Sequence, residues 1–229
     1  RLHNLGLHDL WYDEALSAIQ SDYSTQELMQ SPDPYLSFYY IFLHFWKAVL
    51  GDSEFSLRLP SVIFGVLAII FIYKLGRMLV SKNASLFAAF IMSISPLHLW
   101  YAQEGRAYTM SVFFVILASY YFILALKENR LSQWILFILA SVISIYLHYF
   151  SAFLLFSQGL LFINKKNMHL FKKWLISCAF IVSLFIINRN ILTIQFLKAE
   201  SNLNWWTLKP TIKSILITFE NFNIGYNGT

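Results

Sequence analysis

The sequence predicts an all-α polytopic membrane protein: a transmembrane helix bundle with an external loop that carries interfacial helices. Three observations lead there. Of the 229 residues, 58% are hydrophobic and 13% charged, against roughly 25% charged in an average soluble domain, and the mean hydropathy is +0.56. A soluble domain of this length has more surface than so few charges can cover. The apolar residues gather into runs close to the ~20 residues that cross a hydrocarbon core about 30 Å thick. The basic and acidic residues fall in alternate gaps between those runs.

Taken in order, residues 1–58 form a long segment ahead of the first complete span and read as an external loop. The chain opens at Arg1 on a polar stretch without a signal-peptide pattern, so a membrane helix is expected ahead of it. Within this segment, residues 35–50 (YLSFYYIFLHFWKAVL) are aromatic and amphipathic, with Lys47 near the end and Gly51 after it. That is the pattern of a helix lying in the membrane interface; a short buried helix has it too. Spans follow at 59–79, 84–100, 109–126 and 174–188. Between the last two, 131–164 is too long for one span and short for two. The region 59–188 thus holds about six spans. Residues 189–229 read as a second large external loop, containing Trp205-Trp206, and the start of a further helix.

Charge decides how 131–164 folds. Cytoplasmic loops are rich in Lys and Arg. Lys74, Arg77 and Lys82 flank the first gap, Lys127 and Arg130 sit in the third, and Lys165, Lys166, Lys172 and Lys173 crowd the fifth. A single span would place the last cluster outside, whereas a hairpin turning near His148-Tyr149-Phe150 places all three inside. The sequence therefore predicts the hairpin. Asp9, Asp13, Glu14, Asp22, Glu27, Asp33, Asp52, Glu54, Glu104 and Glu200 then fall outside, and Glu128 inside. Acids contribute little to the orientation rule, so their gathering on one face points to chemistry there.

Several function classes drop out. The +5 net charge is spread between spans rather than along one stripe, which argues against nucleic acid as a partner. Cys178 is the single cysteine and lies in an apolar run, which supports neither a disulfide framework nor a thiolate metal site. The sequence has no GxxxxGK[ST], HExxH or GxSxG, so nucleotide hydrolysis and zinc chemistry lack support.

The residues able to carry chemistry fall in a few constellations. Trp11-Tyr12-Asp13-Glu14 sets paired carboxylates beside aromatics. Such a pair supplies a general base and a partner for a metal or hydroxyl, or simply complements a helix N-terminus. Glu104 and Arg106 lie between two spans, where ionisable groups are costly and point to function. An arginine there grips a phosphate in bidentate fashion; a loop ion pair is the plainer alternative. Arg58 precedes a span with Pro60 in its first turn and is either a ligand or a snorkelling interfacial residue. His148, beside Tyr149, reads first as a polar cap on the hairpin turn.

Read together and in order, these motifs resemble the GT-C glycosyltransferases, in particular the protein-mannosyltransferase and aminoarabinose-transferase-like group. The resemblance is carried by Trp11-Tyr12-Asp13-Glu14, by 36–46 leading to Leu57-Arg58-Leu59-Pro60-Ser61, and by Tyr73-Lys74-Leu75-Gly76-Arg77. It continues through Ser95-Pro96 to Gln103-Glu104-Gly105-Arg106-Ala107-Tyr108. One departure stands out: Tyr35-Leu36-Ser37 occupies the place where many relatives carry His-Pro-Pro.

The resemblance implies a GT-C-like bundle in the cytoplasmic (inner) membrane of a prokaryote, with its active site on the external face. It implies transfer of a hexose or pentose from a polyprenyl-phosphate donor in the bilayer to a glycan, lipid or protein acceptor. It casts Asp13 as catalytic base, with Glu14 beside it, and sets the later motif on Glu104 and Arg106. On this reading Arg106 and Arg58 hold the donor phosphate as it leaves, and Asp13 deprotonates the acceptor hydroxyl. One external carboxylate base suits inversion, since retention normally needs a carboxylate nucleophile as well. Glu14 and Glu104 would orient the acceptor, hold Arg106 or, with Asp13, bind a divalent cation such as Mg or Mn. Tyr108 and His148 would support the site. The rival class, a transporter or flippase of lipid-linked sugars, predicts charges within spans and helices broken at the midplane. A structural membrane subunit leaves the clustered acids without a reason.

Overall fold

The computed structural model describes residues 1–30, 37–163, 165–187 and 211–224. Trp205-Trp206, Asp33, Glu200 and the Tyr35-Leu36 departure lie outside the described residues. Within them every regular element is helical. The α-helices are α1 (Tyr12–Gln20), α2 (Thr25–Gln30), α3 (Ser37–Leu50), α4 (Glu54–Leu79), α5 (Lys82–Ile94) and α6 (Pro96–Tyr101). They continue as α7 (Tyr108–Glu128), α8 (Leu131–Leu147), α9 (Phe153–Leu160), α10 (Phe171–Ile187) and α11 (Ile212–Ile224). Short 3₁₀ turns at Tyr149–Ala152 and Lys165–Leu170 precede α9 and α10.

α4 and α7 are long and apolar enough to cross a membrane, and Phe38–Leu50, Lys82–Ile94, Leu131–Leu147 and Tyr149–Leu160 are shorter apolar helices. α7 is the hub and packs on both α4 and α8. Phe122 of α7 meets Trp134 and Phe137 of α8 and also Phe162 beyond α9, with ring centroids 5.4–6.5 Å apart. Phe162 lies near the start of α8, so the chain after His148 runs back along it: the hairpin forms. His148, with φ −158° and ψ 114°, breaks the helix there. On α5, Leu86, Phe87, Phe90, Ile91 and Ile94 face outward, an apolar surface that soluble monomers keep covered.

Two boundaries differ from the sequence expectation. α4 starts at Glu54, capped by Ser53, whose side chain accepts from Ser56 N, so Pro60 lies in the second turn rather than the first. Proline lacks the N–H that would bond the carbonyl four residues back. Trp46 Nε1 supplies that bond instead, donating to Ser56 O at 2.9 Å, and so ties α3 to α4. The second difference is in 84–100, expected as one span. α5 ends at Ile94, because the residue before a proline is driven out of helical geometry and Ser95 instead caps α6, accepting from His98 N.

The charges separate along the bundle axis. At one end Lys127 Nζ donates to Met78 O at 2.6 Å and Lys173 Nζ to Asn129 Oδ1 at 2.7 Å, which gathers the three basic turns. Asn129 closes α7 in the left-handed conformation (φ 52°), a common helix stop. At the other end lie α1, Arg58, Glu104 and Arg106. From Arg58 to Met78 along α4 is about 30 Å at 1.5 Å per residue, the thickness of a bilayer's hydrocarbon core.

Candidate functional site

The site is built on α1, the first turns of α4, and the loop from α6 to α7. Glu14 sits in the first turn of α1, and its carboxylate reaches back to Trp11 N at 3.3 Å, as in a capping box. The same carboxylate takes a two-pronged bond from Arg58: Nε to Oε1 at 2.8 Å and Nη2 to Oε2 at 2.6 Å. Gly105 N donates to Oε1 at 2.7 Å. Arg58 spends its remaining N–H groups on main-chain carbonyls: Leu5 and His8 from Nη1 at 2.8 and 2.9 Å, and Asp9 from Nη2 at 3.1 Å. A guanidinium has five N–H donors, and here all five are used inside the protein. Glu14 and Arg58 are 2% and 7% exposed. Together they form a buried clamp joining the N-terminal segment, α4 and the 102–107 loop.

Asp13, one residue before Glu14, meets Arg106, one residue after Gly105. Arg106 Nη2 lies 3.9 Å from Asp13 Oδ2, and Nη1 donates to Asp13 O at 3.3 Å and Ser17 Oγ at 3.2 Å. Arg106 Nε is buried without a hydrogen-bond partner among the described residues. The Asp13 side chain is 31% exposed. Ser61 Oγ donates to Arg106 O at 3.1 Å and Thr109 Oγ1 to Ser61 O at 3.0 Å, which fixes the loop against α4. Burial holds the nearby Tyr39 phenol well above its usual range, with the Arg106 charge pulling the other way, so it stays protonated.

Glu104 lies in the same loop, nine-tenths buried. Its Oε1 accepts from Trp100 Nε1, and Oε2 has no hydrogen-bond partner among the described residues. Burial pushes its carboxyl above the usual range; the Trp100 bond opposes this and the Glu14 charge adds to it. Glu14, Arg58, Glu104 and Tyr108 line a cavity of about 830 Å³ beside the N-terminal segment, within the ~300–1,000 Å³ of small-molecule sites. Asp13 and Arg106 are not in its wall, but their neighbours Glu14 and Tyr108 are. The Tyr108 ring also lies 5.9 Å from the Arg106 guanidinium and packs on Tyr101 at 4.6 Å between centroids. Tyr108 continues into a second cavity of about 430 Å³ that includes His148 and Ser111, so His148 joins the site by that route.

Asp13, Glu14, Arg58, Glu104, Arg106 and Tyr108 are thus brought into one polar layer. The donors for a divalent cation are not assembled: no three His, Cys, Asp or Glu side chains among the described residues gather in a metal-holding group. Both Glu14 oxygens are already bonded twice. Glu14 therefore has no oxygen to spare for a cation. Sequence reasoning gave no part to Ser17, which orients Arg106, or to His3 and His8, which line the cavity. Nothing in their spacing marks them, because their partners lie 50 to 100 positions away.

These features define a helical protein adapted to an apolar surrounding, with its polar chemistry collected at one end of the bundle. A family model described as dolichyl-phosphate-mannose-protein mannosyltransferase matches residues 34–192. The chain belongs to that family, and is therefore a membrane glycosyltransferase of the GT-C type. The match covers Arg58, Glu104, Arg106, Tyr108 and His148; Asp13 and Glu14 precede it. Neither a curated protein nor a solved structure matches the chain.

Proposed function

We propose that this protein moves a sugar from a polyprenyl-phosphate donor to an acceptor hydroxyl on the membrane face opposite its basic turns, inverting the anomeric carbon. The observation that carries this reading is the Asp13–Arg106 pair, held about 30 Å along the bundle from the lysines that mark a cytoplasmic face. A lipid-linked sugar phosphate has its charge at the interface and its tail in hydrocarbon, so it reaches such a layer without leaving the membrane.

Roles follow from which donors and acceptors remain available. Arg58 has none left, so we assign it, with Glu14, to shaping the site rather than to the phosphate. Arg106, whose Nε–H has no partner among the described residues, takes the phosphate charge as it develops. Among the described residues no close hydrogen bond reaches the Asp13 carboxylate, which is 31% exposed, and this suits a general base. It removes the acceptor's proton as the acceptor oxygen bonds to the anomeric carbon; the carbon–phosphate-oxygen bond breaks and polyprenyl phosphate departs. Tyr108, with one foot in the cavity wall and its ring near Arg106, controls how the cavity communicates with the pair.

A transporter of lipid-linked sugars is less well supported, because Leu59–Tyr73 of α4 and Tyr108–Leu126 of α7 carry no charged residue. The test is the full-length protein in liposomes with a radiolabelled polyprenyl-phosphate sugar. Transfer of label to an acceptor or to water is expected, with Arg106→Ala raising the donor KM. Movement of intact donor between leaflets without transfer would contradict the reading.

A further inference from the structure

We infer that the 830 Å³ cavity is an acceptor chamber that takes a saccharide, the apolar face of a sugar ring lying against Trp100 and Trp11. This deepens the glycosyltransfer reading above and rests on it. Both rings line the cavity, yet Trp100 is 61% and Trp11 49% exposed. Exposed apolar side chains are widespread on this bundle, so what marks these two rings is their place in the cavity lining, where each offers a large apolar face. One source of exposed tryptophan is the aromatic belt at a membrane interface, where the indole N–H is left for head groups and water. Trp100 differs, because its N–H is held by Glu104 inside the wall, which fixes the ring's attitude toward the cavity.

The polar groups around the rings are those that read sugar hydroxyls. His3, His8 and Gln103 line the same space. Gln103 is positioned by donating to Arg1 O and His3 O at 3.0 and 3.2 Å, bonds that join the N-terminal segment to the 102–107 loop. Glu104 lines the same cavity, is nine-tenths buried, and its Oε2 has no hydrogen-bond partner among the described residues. An unpaired buried carboxyl oxygen costs free energy unless a ligand group meets it, and a sugar hydroxyl donates to it or accepts from its protonated form. Two aromatic faces, two imidazoles and an amide next to an unsatisfied carboxyl match a pyranose, which is apolar on its C–H faces and polar at its edge.

The experiment uses full-length protein in lipid nanodiscs, with methyl glycosides of the common hexoses and a Ser/Thr-rich peptide as probes. Tryptophan fluorescence without donor reads binding, and label from a polyprenyl-phosphate sugar reads transfer. A methyl glycoside is expected to change the fluorescence and to accept label. Trp100→Ala and Trp11→Ala should each raise its KM about tenfold with kcat little changed, while Trp11→Phe stays near the parent. Label moving only to the peptide, or saccharide binding unaltered in the Trp11→Ala/Trp100→Ala double variant, would overturn the inference. Failure of donor turnover with every acceptor, water included, would instead sink the glycosyltransfer reading; the fluorescence arm then still decides whether the chamber binds saccharide.

Discussion

Replacing Arg58 by methionine separates a structural clamp from a phosphate ligand. Methionine keeps much of the stem's volume and removes all five N–H donors. Glu14 then loses two of its four hydrogen bonds, keeping those from Gly105 N and Trp11 N, and the carbonyls of Leu5, His8 and Asp9 lose their shared donor. Breaking a buried ion pair from one side costs about 3–5 kcal/mol. The two surviving bonds to Glu14 keep the expected loss near the lower end. For a chain of this size that lowers the unfolding midpoint by the order of 10 °C, measured in detergent micelles. Glu14→Gln combined with Arg58→Met removes the stranded charge and should recover part of the loss, a coupling that a double-mutant cycle isolates. Donor affinity, measured well below both midpoints, should change far less than in Arg106→Ala. An Arg58→Met protein that melts like its parent but no longer binds donor would refute the clamp.

Two further outcomes follow from the same layer. Glu104 holds its proton in the fold at pH values where the unfolded chain has released it. Its contribution to stability is therefore complete below the ordinary carboxylate range and is lost as pH rises through the raised value. Glu104→Gln keeps the acceptor for Trp100 and abolishes the titration, so its unfolding midpoint should vary less with pH over that window; an unchanged slope contradicts the assignment. Sidedness is read by single cysteines placed in a Cys178→Ser background. Ser24→Cys should react with an impermeant maleimide in intact cells and Asn83→Cys only after permeabilisation, and the reverse pattern would invert the proposed topology.

Much of the bundle was legible in the sequence because its signals are local. Apolar run length marked α4 and α7, and alternation of basic turns predicted the hairpin at His148, where the helix does break. The Ser95-Pro96 pair carried the break between α5 and α6, yet hydropathy averaged over 84–100 smoothed across it. Ser53, three residues ahead of Ser56, marked the true start of α4, but the apolar window began only at Leu59. The acidic loop and the two arginines were visible as residue types in suggestive places. Their division of labour was not: whether Arg58 or Arg106 has donors to spare depends on the carbonyls of Leu5, His8 and Asp9 and on Glu14, 44 to 53 positions distant. Only the fold decides which carboxylate the buried guanidinium consumes. That choice leaves Asp13 open and closes Glu14, although the two are adjacent in the chain.

Asp13→Asn bears most directly on catalysis. It exchanges one carboxylate oxygen for an amide on a side chain 31% exposed, and it spares the main-chain bond from Arg106 to Asp13 O. Single-turnover transfer from a radiolabelled polyprenyl-phosphate sugar should fall by roughly 10²–10⁴-fold, the span of a general base, while donor binding and the unfolding midpoint hold. Transfer at the parent's rate in Asp13→Asn would remove this carboxylate from the reaction, and with it the mechanism built on its pairing with Arg106.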